Sequence, residues 1–324
     1  MTRRELVKAA IAHQETDRVP YSIDLCGDAW EKLKPLVSQP TPGEYLDNDV
    51  AGFGPPWWNW HELGADWAGF AAPASPAKVI GAGSYSDFVD RVKWARGMSD
   101  KYFLVMIYGS HFEKAYFARG LENFLADMGG DLAFARKLLN LIIEKNMVML
   151  ENILAIRELD GVLLGSDWGS QRGMLMSPEV WHDLIRPGEQ REYDLIHSYG
   201  KDVWVHSCGK IEPIIPSLIE MGVNVLNPVQ SEAMDIDALK RDFGPRLTFW
   251  GGISTQQTMP YGTPEDVKKE ARAVRDMMSK GGGYIFSPSQ GIQGDVPPQN
   301  IIALLEVARE TRARPAAQPR RAKR

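Results

Sequence analysis

The stretch of sequence that decides the fold reads Val203-Trp204-Val205-His206-Ser207-Cys208-Gly209-Lys210. Its β-branched, apolar start predicts a buried strand, and the strand ends abruptly in a polar turn. The imidazole of His206 and the thiol of Cys208 stand two residues apart, so both can point to one side of the strand end. These two side chains are good ligands for zinc. The stretch therefore predicts a strand that carries chemistry at its carboxyl end.

Around this stretch, short apolar strands alternate with longer amphipathic segments from about residue 100 onward. Predicted strands are Val19–Leu25, Tyr102–Tyr108, Gly161–Gly165, Val203–His206, Val223–Asn227, Leu247–Gly251 and Tyr284–Ser287. Predicted helices are Asp131–Arg157, Pro178–Tyr199, Ile211–Met221, Asp235–Phe243, Pro264–Lys280 and Pro298–Arg309. Repeated strand–helix units imply parallel strands joined by right-handed crossovers.

Seven strands are visible, and an eighth is expected between residues 65 and 80. No GxGxxG motif follows the first strand, which favours a closed (β/α)8 TIM barrel over a dinucleotide-binding sheet. We expect one α/β domain over residues 1–311, with an early Trp-rich insert (residues 55–61) and a disordered basic tail at 312–324. The insert is interpreted as a packed lid or interface, or as a wall of the substrate pocket through Trp57 and Trp58.

Composition narrows the class of protein. The 324 residues are 44% hydrophobic and 24% charged, with a formal net charge of -5. These values are typical of a globular enzyme and give no indication of a nucleic-acid partner. With two cysteines, no apolar signal segment and no long apolar run, we expect a soluble cytoplasmic protein without a membrane partner. The Trp-rich insert is compatible with a homodimer.

Polar residues follow nearly every predicted strand. In a parallel barrel the carboxyl ends of the strands build the active site. The candidates are Cys26, Tyr108, His111, Asp167, Gln171, His206, Cys208, Asn227, Gln230, Ser287 and Gln290. We predict catalytic roles for Asp167 and Tyr108, metal binding by His206 and Cys208, and substrate binding by Gln171, Asn227, Gln230, Trp57, Trp58, Ser287 and Gln290.

Each candidate has a structural alternative. Asp167 could cap the segment that follows it, and Cys208 alone would be a small core residue. Asn227 and Gln230 could satisfy loop backbone groups. His111 is expected to be a hydrogen-bonded structural histidine.

The pattern resembles the uroporphyrinogen decarboxylase superfamily, whose (β/α)8 barrels include a decarboxylase of haem synthesis and cobamide-dependent methyltransferases. The likeness covers most of the chain. It is carried by the stretches Ile11-Ala12-His13-Gln14-Glu15-Thr16-Asp17-Arg18-Val19-Pro20, Arg119-Gly120-Leu121-Glu122-Asn123, Ser177-Pro178-Glu179, His206-Ser207-Cys208-Gly209, Phe249-Trp250-Gly251-Gly252-Ile253, Gly281-Gly282-Gly283-Tyr284-Ile285 and Asp295-Val296-Pro297-Pro298-Gln299-Asn300.

The branch of the superfamily is decided by two further features. True decarboxylases carry an Arg-Gln-Ala-Gly-Arg-Tyr stretch that holds the porphyrinogen carboxylates, whereas the matching stretch here is Tyr21-Ser22-Ile23-Asp24-Leu25-Cys26-Gly27. The His-x-Cys turn resembles the methyltransferase branch, in which the resemblance implies zinc on this turn and on a later cysteine. That later position reads Ser287-Pro288-Ser289-Gln290 here and has no cysteine. A third ligand could come from Asp167, Cys26 or Glu220.

The resemblance implies a methyltransferase that moves a methyl group between a small methylated substrate and a corrinoid carried by a separate partner protein. Zinc on His206 and Cys208 would polarise the methyl-bearing heteroatom. The tryptophans of the insert suit a methoxyaromatic ring and hence O-demethylation. Two alternatives remain open: a uroporphyrinogen decarboxylase-like carboxy-lyase with Asp167 as proton donor, and a non-catalytic barrel that binds a small molecule.

Overall fold

The structure, a computed structural model, describes residues 1–56 and 85–311. Its centre is a parallel sheet of seven strands in the order β1 to β7, each paired with its neighbours in sequence. The strands are β1 Val50–Phe53, β2 Tyr102–Ile107, β3 Gly161–Gly165, β4 Asp202–His206, β5 Val225–Val229, β6 Thr248–Ile253 and β7 Tyr284–Pro288. The predicted strands from Tyr102 onward are all present, with ends shifted by a residue or two. The α/β prediction is therefore confirmed, with the sheet curled in the manner of a barrel.

The predicted first strand, Val19–Leu25, is wrong as a continuous strand. This segment makes two isolated parallel bridges, Tyr21 to Phe286 and Leu25 to Ile292. The amide of Ser22 donates to the Phe286 carbonyl at 3.1 Å, and the amide of Asp49 donates to the Tyr21 carbonyl at 3.0 Å. The segment thus lies between β7 and the residue that precedes β1, and it links the two edges of the curled sheet.

Strand β1 was not predicted from the sequence. Its four residues, Val-Ala-Gly-Phe, include two with little preference for strands, and their burial alternates only weakly. The eighth strand was instead expected between residues 65 and 80. That segment, the Trp-rich residues 57–61 and the tail 312–324 lie outside the described residues.

Helices follow most of the strands. They are α1 Arg3–Ile11, α2 Gly27–Leu33, α3 Pro42–Leu46, α4 Tyr85–Met98, α5 Phe112–Arg119, α6 Leu121–Gly130, α7 Leu132–Leu154, α8 Pro178–Val180, α9 Arg186–Ser198, α10 Ile215–Glu220, α11 Ile236–Phe243, α12 Thr258–Tyr261, α13 Pro264–Met278 and α14 Pro298–Arg309. Thr263 begins α13 with a capping box that it shares with Asp266, as its hydroxyl and the following proline lead one to expect. No described helix is long and apolar enough to cross a membrane.

The predicted single helix over Pro178–Tyr199 is divided. A π-helical turn, Trp181–Ile185, separates α8 from α9. Pro187 stands in the first turn of α9, where its missing amide proton breaks the regular α-helical pattern. The predicted helix Ile211–Met221 likewise begins as a short 3-10 turn, Glu212–Ile214, before α10.

The inside of the curled sheet is filled by a cluster of apolar side chains. Every strand contributes to it, and α1 adds Val7; the strand residues are Val50, Tyr102, Leu104, Leu163, Trp204, Val225, Trp250 and Ile285. Their neighbours Phe103 and Val105 belong to the other core, beneath the helices. This alternation reflects the two-residue period of a strand. At the amino ends of the strands, Lys8 of α1 pairs with Asp202 at 2.6 Å.

Candidate active site

A cavity of about 720 Å³ opens at the carboxyl ends of the strands. Its size is in the range of small-molecule sites. Its walls come from the segment that bridges the sheet edges and from the ends of β1 to β7. The lining residues are Ser22, Ile23, Asp24, Asn48, Val50, Gly52, Phe53, Gly54, Met106, Tyr108, Asp167, His206, Cys208, Asn227, Trp250, Ser287, Pro288, Ser289, Gln290 and Gly291.

His206 and Cys208 both face this cavity. His206 is the last residue of β4 and is 8% exposed. The thiol of Cys208 lies 3.4 Å from Nε2 of His206. The turn that follows Cys208 is tight because Gly209 has a φ of 79°, and a Cβ there would lie 2.5 Å from the backbone of Gly169. A side chain at position 209 would therefore push the two loops apart.

Asp167 joins these two residues from the loop after β3. Its Oδ1 lies 3.6 Å from His206 Nε2 and accepts the backbone N–H of Cys208 at 2.8 Å. One donor atom from each of the three side chains lies within 4.8 Å of the others. The amide of Trp168 donates to Ser207 Oγ at 3.0 Å and so holds the two loops together. An imidazole, a thiol and a carboxylate thus converge on one point.

Asn227 fixes the orientation of the His206 ring. Its Oδ1 accepts from His206 Nδ1 at 2.6 Å, and its Nδ2 donates to the carbonyl of Trp250 at 3.2 Å. Because Nδ2 must donate to that carbonyl, Oδ1 is the atom that faces the ring, and Nδ1 of the ring carries the proton. Nε2 is then left with a lone pair that points to Cys208 and Asp167. Burial lowers the pKa of His206, which further favours the neutral ring.

Gln290 contacts the sulfur directly. Its Nε2 donates to Cys208 Sγ at 2.8 Å from the loop that follows β7. Burial, assisted by the charge of Asp167, raises the pKa of Cys208 from its usual 9.0 to about 12. The thiol therefore keeps its proton near neutral pH, and a bound cation is the kind of neighbour that would release it.

Tyr108 borders the cavity on the other side of the imidazole. Its ring meets His206 edge-on, with the ring centroids 5.0 Å apart. Tyr108 is 54% exposed, yet partial desolvation, with Asp24 and Cys208 adding to it, raises the pKa of its phenol, which remains a hydrogen-bond donor.

Glu113, in the first turn of α5, is a further acidic residue near Asp167. The sequence analysis missed it. Its carboxylate accepts from the amide of Gly109 at 3.1 Å and from the hydroxyl of Tyr116 at 3.2 Å. Burial and the nearby Asp167 raise the pKa of Glu113 from 4.5 to about 7. A glutamate in the first turn of a helix gives no signal in sequence that sets it apart from an ordinary surface acid.

The predicted site residues divide into three groups. Asp167, Tyr108, His206, Cys208, Asn227, Ser287 and Gln290 line the cavity together. Gln230 is buried, and its Oε1 accepts the amide of Gly209 at 2.5 Å, so it holds the His-x-Cys turn rather than facing the cavity. Gln171 is exposed and does not line the cavity. Trp57 and Trp58 lie outside the described residues.

Of the three candidates for a further metal ligand, the structure brings only Asp167 to the His206–Cys208 pair. Cys26 is a free cysteine outside the group of three donors. Glu220 instead pairs with Arg186 at 3.3 Å on the surface.

The charge of the cavity bears on what it can bind. Among the described residues that line it, none is a lysine or arginine, whereas Asp24 and Asp167 are acidic. A ligand with many carboxylates would need paired cationic donors. The described walls provide the opposite charge.

Comparison with known proteins gives two kinds of match. A family model described as uroporphyrinogen decarboxylase (URO-D) matches residues 77–311. The uroporphyrinogen decarboxylase of Chlorobium limicola is 32% identical over 159 residues, which are 48% of this chain and 43% of that protein. That of Psychromonas ingrahamii is 30% identical over 77 residues, 24% of this chain and 21% of that protein. The matched regions thus span less than half of these relatives.

Among solved structures, a methyltransferase from Methanosarcina mazei superposes with a TM-score of 0.71. The superposition covers 95% of this chain and 98% of that one, at 17% sequence identity. At this level of identity the similarity establishes a shared fold.

Proposed function

The chain belongs to the uroporphyrinogen decarboxylase (URO-D) family, and within this family we propose that it is a methyltransferase. It would move a methyl group between a small methylated substrate and a corrinoid held by a separate protein. The observation that carries this proposal is the convergence of Asp167, His206 and Cys208 on an open cavity. The shared fold with a methyltransferase supports it.

The three donors fit a catalytic zinc ion. Such sites use three protein ligands and keep a fourth position for water or substrate. The unprotonated Nε2 of His206 is ready to bind a metal, and Asn227 provides the second-shell contact that zinc-binding histidines usually have. Asp167 would take the place of the later cysteine implied by the family resemblance. Zinc bound here would act as a Lewis acid on the heteroatom that carries the methyl group.

The protein's own residues would hold the substrate and manage the proton. When a methyl–oxygen bond breaks, the methyl group passes to the partner's reduced corrinoid, and the oxygen keeps the electron pair and takes up a proton. Tyr108 is suited to orient that oxygen by donating a hydrogen bond, because its phenol stays protonated and borders the cavity, and the proton itself would come from water in the open cavity. Gln290 donates to Cys208 Sγ and stabilises negative charge on that sulfur.

The substrate class follows from the cavity walls. Phe53, Met106 and Trp250 offer apolar surface, and the described lining carries acidic but no basic side chains. An uncharged methylated compound, such as a methoxyaromatic ring, fits this environment. Trp57 and Trp58 remain proposed as a further wall of the pocket.

Decarboxylation of an acid is the second candidate, because all the curated relatives named above are decarboxylases. The described cavity argues against a porphyrinogen with eight carboxylates. Under this alternative, Asp167 would protonate the developing carbanion, and no corrinoid would be needed.

The test is a methyl-transfer assay with purified protein, a reduced corrinoid protein and a panel of methoxyarenes. The reaction is monitored through the absorbance change of the corrinoid. We expect turnover with at least one methoxyarene, and at least about a 100-fold loss in Cys208→Ser. Cys26→Ser is the matched control, because Cys26 lies outside the donor group, and its activity should be unchanged.

Two other outcomes would overturn the proposal. Conversion of uroporphyrinogen without corrinoid would replace the proposal with the decarboxylase. Ligand binding without turnover of either substrate class, unaffected by Cys208→Ser, would indicate a binding protein.

A further inference from the structure

A second group of ligating side chains is made of residues that do not line the cavity. It is formed by His111, which directly precedes α5, and by Glu189 and Glu192 of α9. One donor atom from each residue lies within 4.8 Å of the others. All three side chains are buried, with exposures of 0%, 1% and 0%. We call this group the sealed cluster.

The hydrogen bonds of the sealed cluster are incomplete. His111 Nδ1 lies 3.1 Å from Glu189 Oε1, and Tyr193 donates to Glu189 Oε2 at 2.8 Å. Asn146 donates to Glu192 Oε1 at 2.8 Å. Glu192 Oε2 and His111 Nε2 are buried and have no hydrogen-bond partner among the described residues. Buried polar atoms are nearly always satisfied, so these two need an explanation.

The charge of the sealed cluster is also unbalanced. Even a protonated His111 could offset only one of the two carboxylates. Arg191, the neighbour of Glu192 in sequence, pairs with Glu144 at 2.7 Å on the surface. A buried carboxylate without compensation costs several kcal/mol, so it either takes a proton or binds a cation.

We infer that the sealed cluster binds a divalent transition-metal ion such as Zn²⁺ or Mn²⁺ through His111, Glu189 and Glu192. One imidazole nitrogen and carboxylate oxygens form a donor set that suits these ions. The unpartnered Oε2 of Glu192 gives the ion an oxygen that no other described group uses. Because the cluster has no exposed surface, the ion would be structural and have no access to substrate.

The position of the sealed cluster explains what such an ion would do. The amide of His111 donates to Ser166 Oγ at 3.3 Å, and Ser166 directly precedes Asp167. Asn146 of α7 also donates to the carbonyl of Ser110 at 2.7 Å. The ion would therefore tie α9 to the loops that follow β2 and β3, which carry Tyr108 and Asp167.

The inference can be tested separately from the proposed function by measuring the metal content of four proteins after zinc or manganese reconstitution and gel filtration. These are the wild type, Cys208→Ser, Glu192→Gln and the double variant. We expect about two ions per chain in the wild type, about one in each single variant and none in the double variant. Glu144→Gln is the matched control, since it removes a nearby but exposed glutamate, and it should keep the wild-type content.

A second measurement does not depend on the folding of a Glu192 variant. In Cys208→Ser, which retains only the sealed cluster, removal of the ion by chelator during mild unfolding should lower the thermal midpoint by at least about 5 °C. A Cys208→Ser protein that binds no metal after reconstitution would by itself overturn the inference, and a Glu192→Gln protein at least as stable as the wild type would be expected in that case. That result would mean that a proton neutralises Glu192, a state consistent with the raised pKa that burial and Glu189 give this group.

Discussion

The two clusters contain similar donors in opposite environments. Asp167, His206 and Cys208 line a cavity of about 720 Å³, whereas His111, Glu189 and Glu192 are at most 1% exposed. In both, an imidazole stands next to carboxylate oxygen. The first group can meet a substrate, and the second can only stabilise the fold. Access to the cavity, more than the identity of the donors, therefore separates a candidate catalytic centre from a structural one.

The largest expected effect concerns stability. His111→Ala removes the imidazole from the sealed cluster and leaves two buried carboxylates uncompensated. We expect the free energy of unfolding to fall by about 3–5 kcal/mol, measured by denaturant titration. His206→Ala, at the edge of the cavity, should cost only about 1–2 kcal/mol because water can reach the vacated space. Equal losses in the two variants would contradict the distinction between the clusters.

The same two variants should rank in the opposite order when metal-dependent activity is measured: His206→Ala should lose more activity than His111→Ala. His206→Ala removes one of three ligands in the candidate active site, so the methyl-transfer rate should fall at least about 100-fold, equivalent to about 2.7 kcal/mol. The folded fraction of His111→Ala should lose less, about 10-fold or below, because the sealed cluster holds the loops that carry Tyr108 and Asp167 but none of its residues lines the cavity. The measurement is the initial rate per molecule of folded protein.

A smaller effect is expected from Asn227→Ala. Without the acceptor at Nδ1, the His206 ring loses both its orientation and its preferred tautomer. Zinc affinity at the candidate active site should fall by about 10–100-fold, as measured by competition with a chromophoric chelator. Metal bound to the sealed cluster should not change; a loss there as well would mean that Asn227 supports the fold as a whole.

The smallest expected effect is a pH dependence that arises from Glu113. Its pKa is about 7 in the folded protein against 4.5 for the ordinary group, so the folded state binds the proton more tightly. The stability that this proton contributes is fully present below pH 4.5 and is lost as the pH rises through about 7. Glu113→Gln should therefore gain about 1 kcal/mol relative to the wild type over that interval, less than the full pKa shift would give because Glu113 is only partly buried. Denaturant titrations of both metal-free proteins at pH 4.5, 6 and 8 test this; parallel curves would contradict it.

Prediction from sequence succeeded where the periodicity was strong. Strands such as Val203–His206 and Tyr284–Ser287 were located within a residue or two, because their apolar runs end in clear polar turns. Strand β1 was missed because its Ala and Gly dilute the pattern. The bridging segment Val19–Leu25 was predicted as a strand because it has the composition of one, although it pairs through only two bridges.

The residues of the candidate active site were likewise predicted best where they follow a strongly periodic strand. Seven of the predicted side chains line one cavity, since parallel strands bring their carboxyl ends together, whereas Gln171 and Gln230 do not line it. The choice of Asp167 over Cys26 and Glu220, and the role of Gln230 in holding the turn, depended on distances that the sequence does not contain.

The sequence by itself determined the order of the strands from Tyr102 onward and the His-x-Cys turn, because these arise from local periodicity and spacing. Only the tertiary structure decided which polar residues meet. Residues 113, 189 and 192 lie on helices and read as ordinary surface glutamates, and nothing local shows that their carboxylates are withdrawn from water. Burial and long-range proximity change the pKa, the charge balance and the ligating ability of such groups, and both are properties of the packed fold.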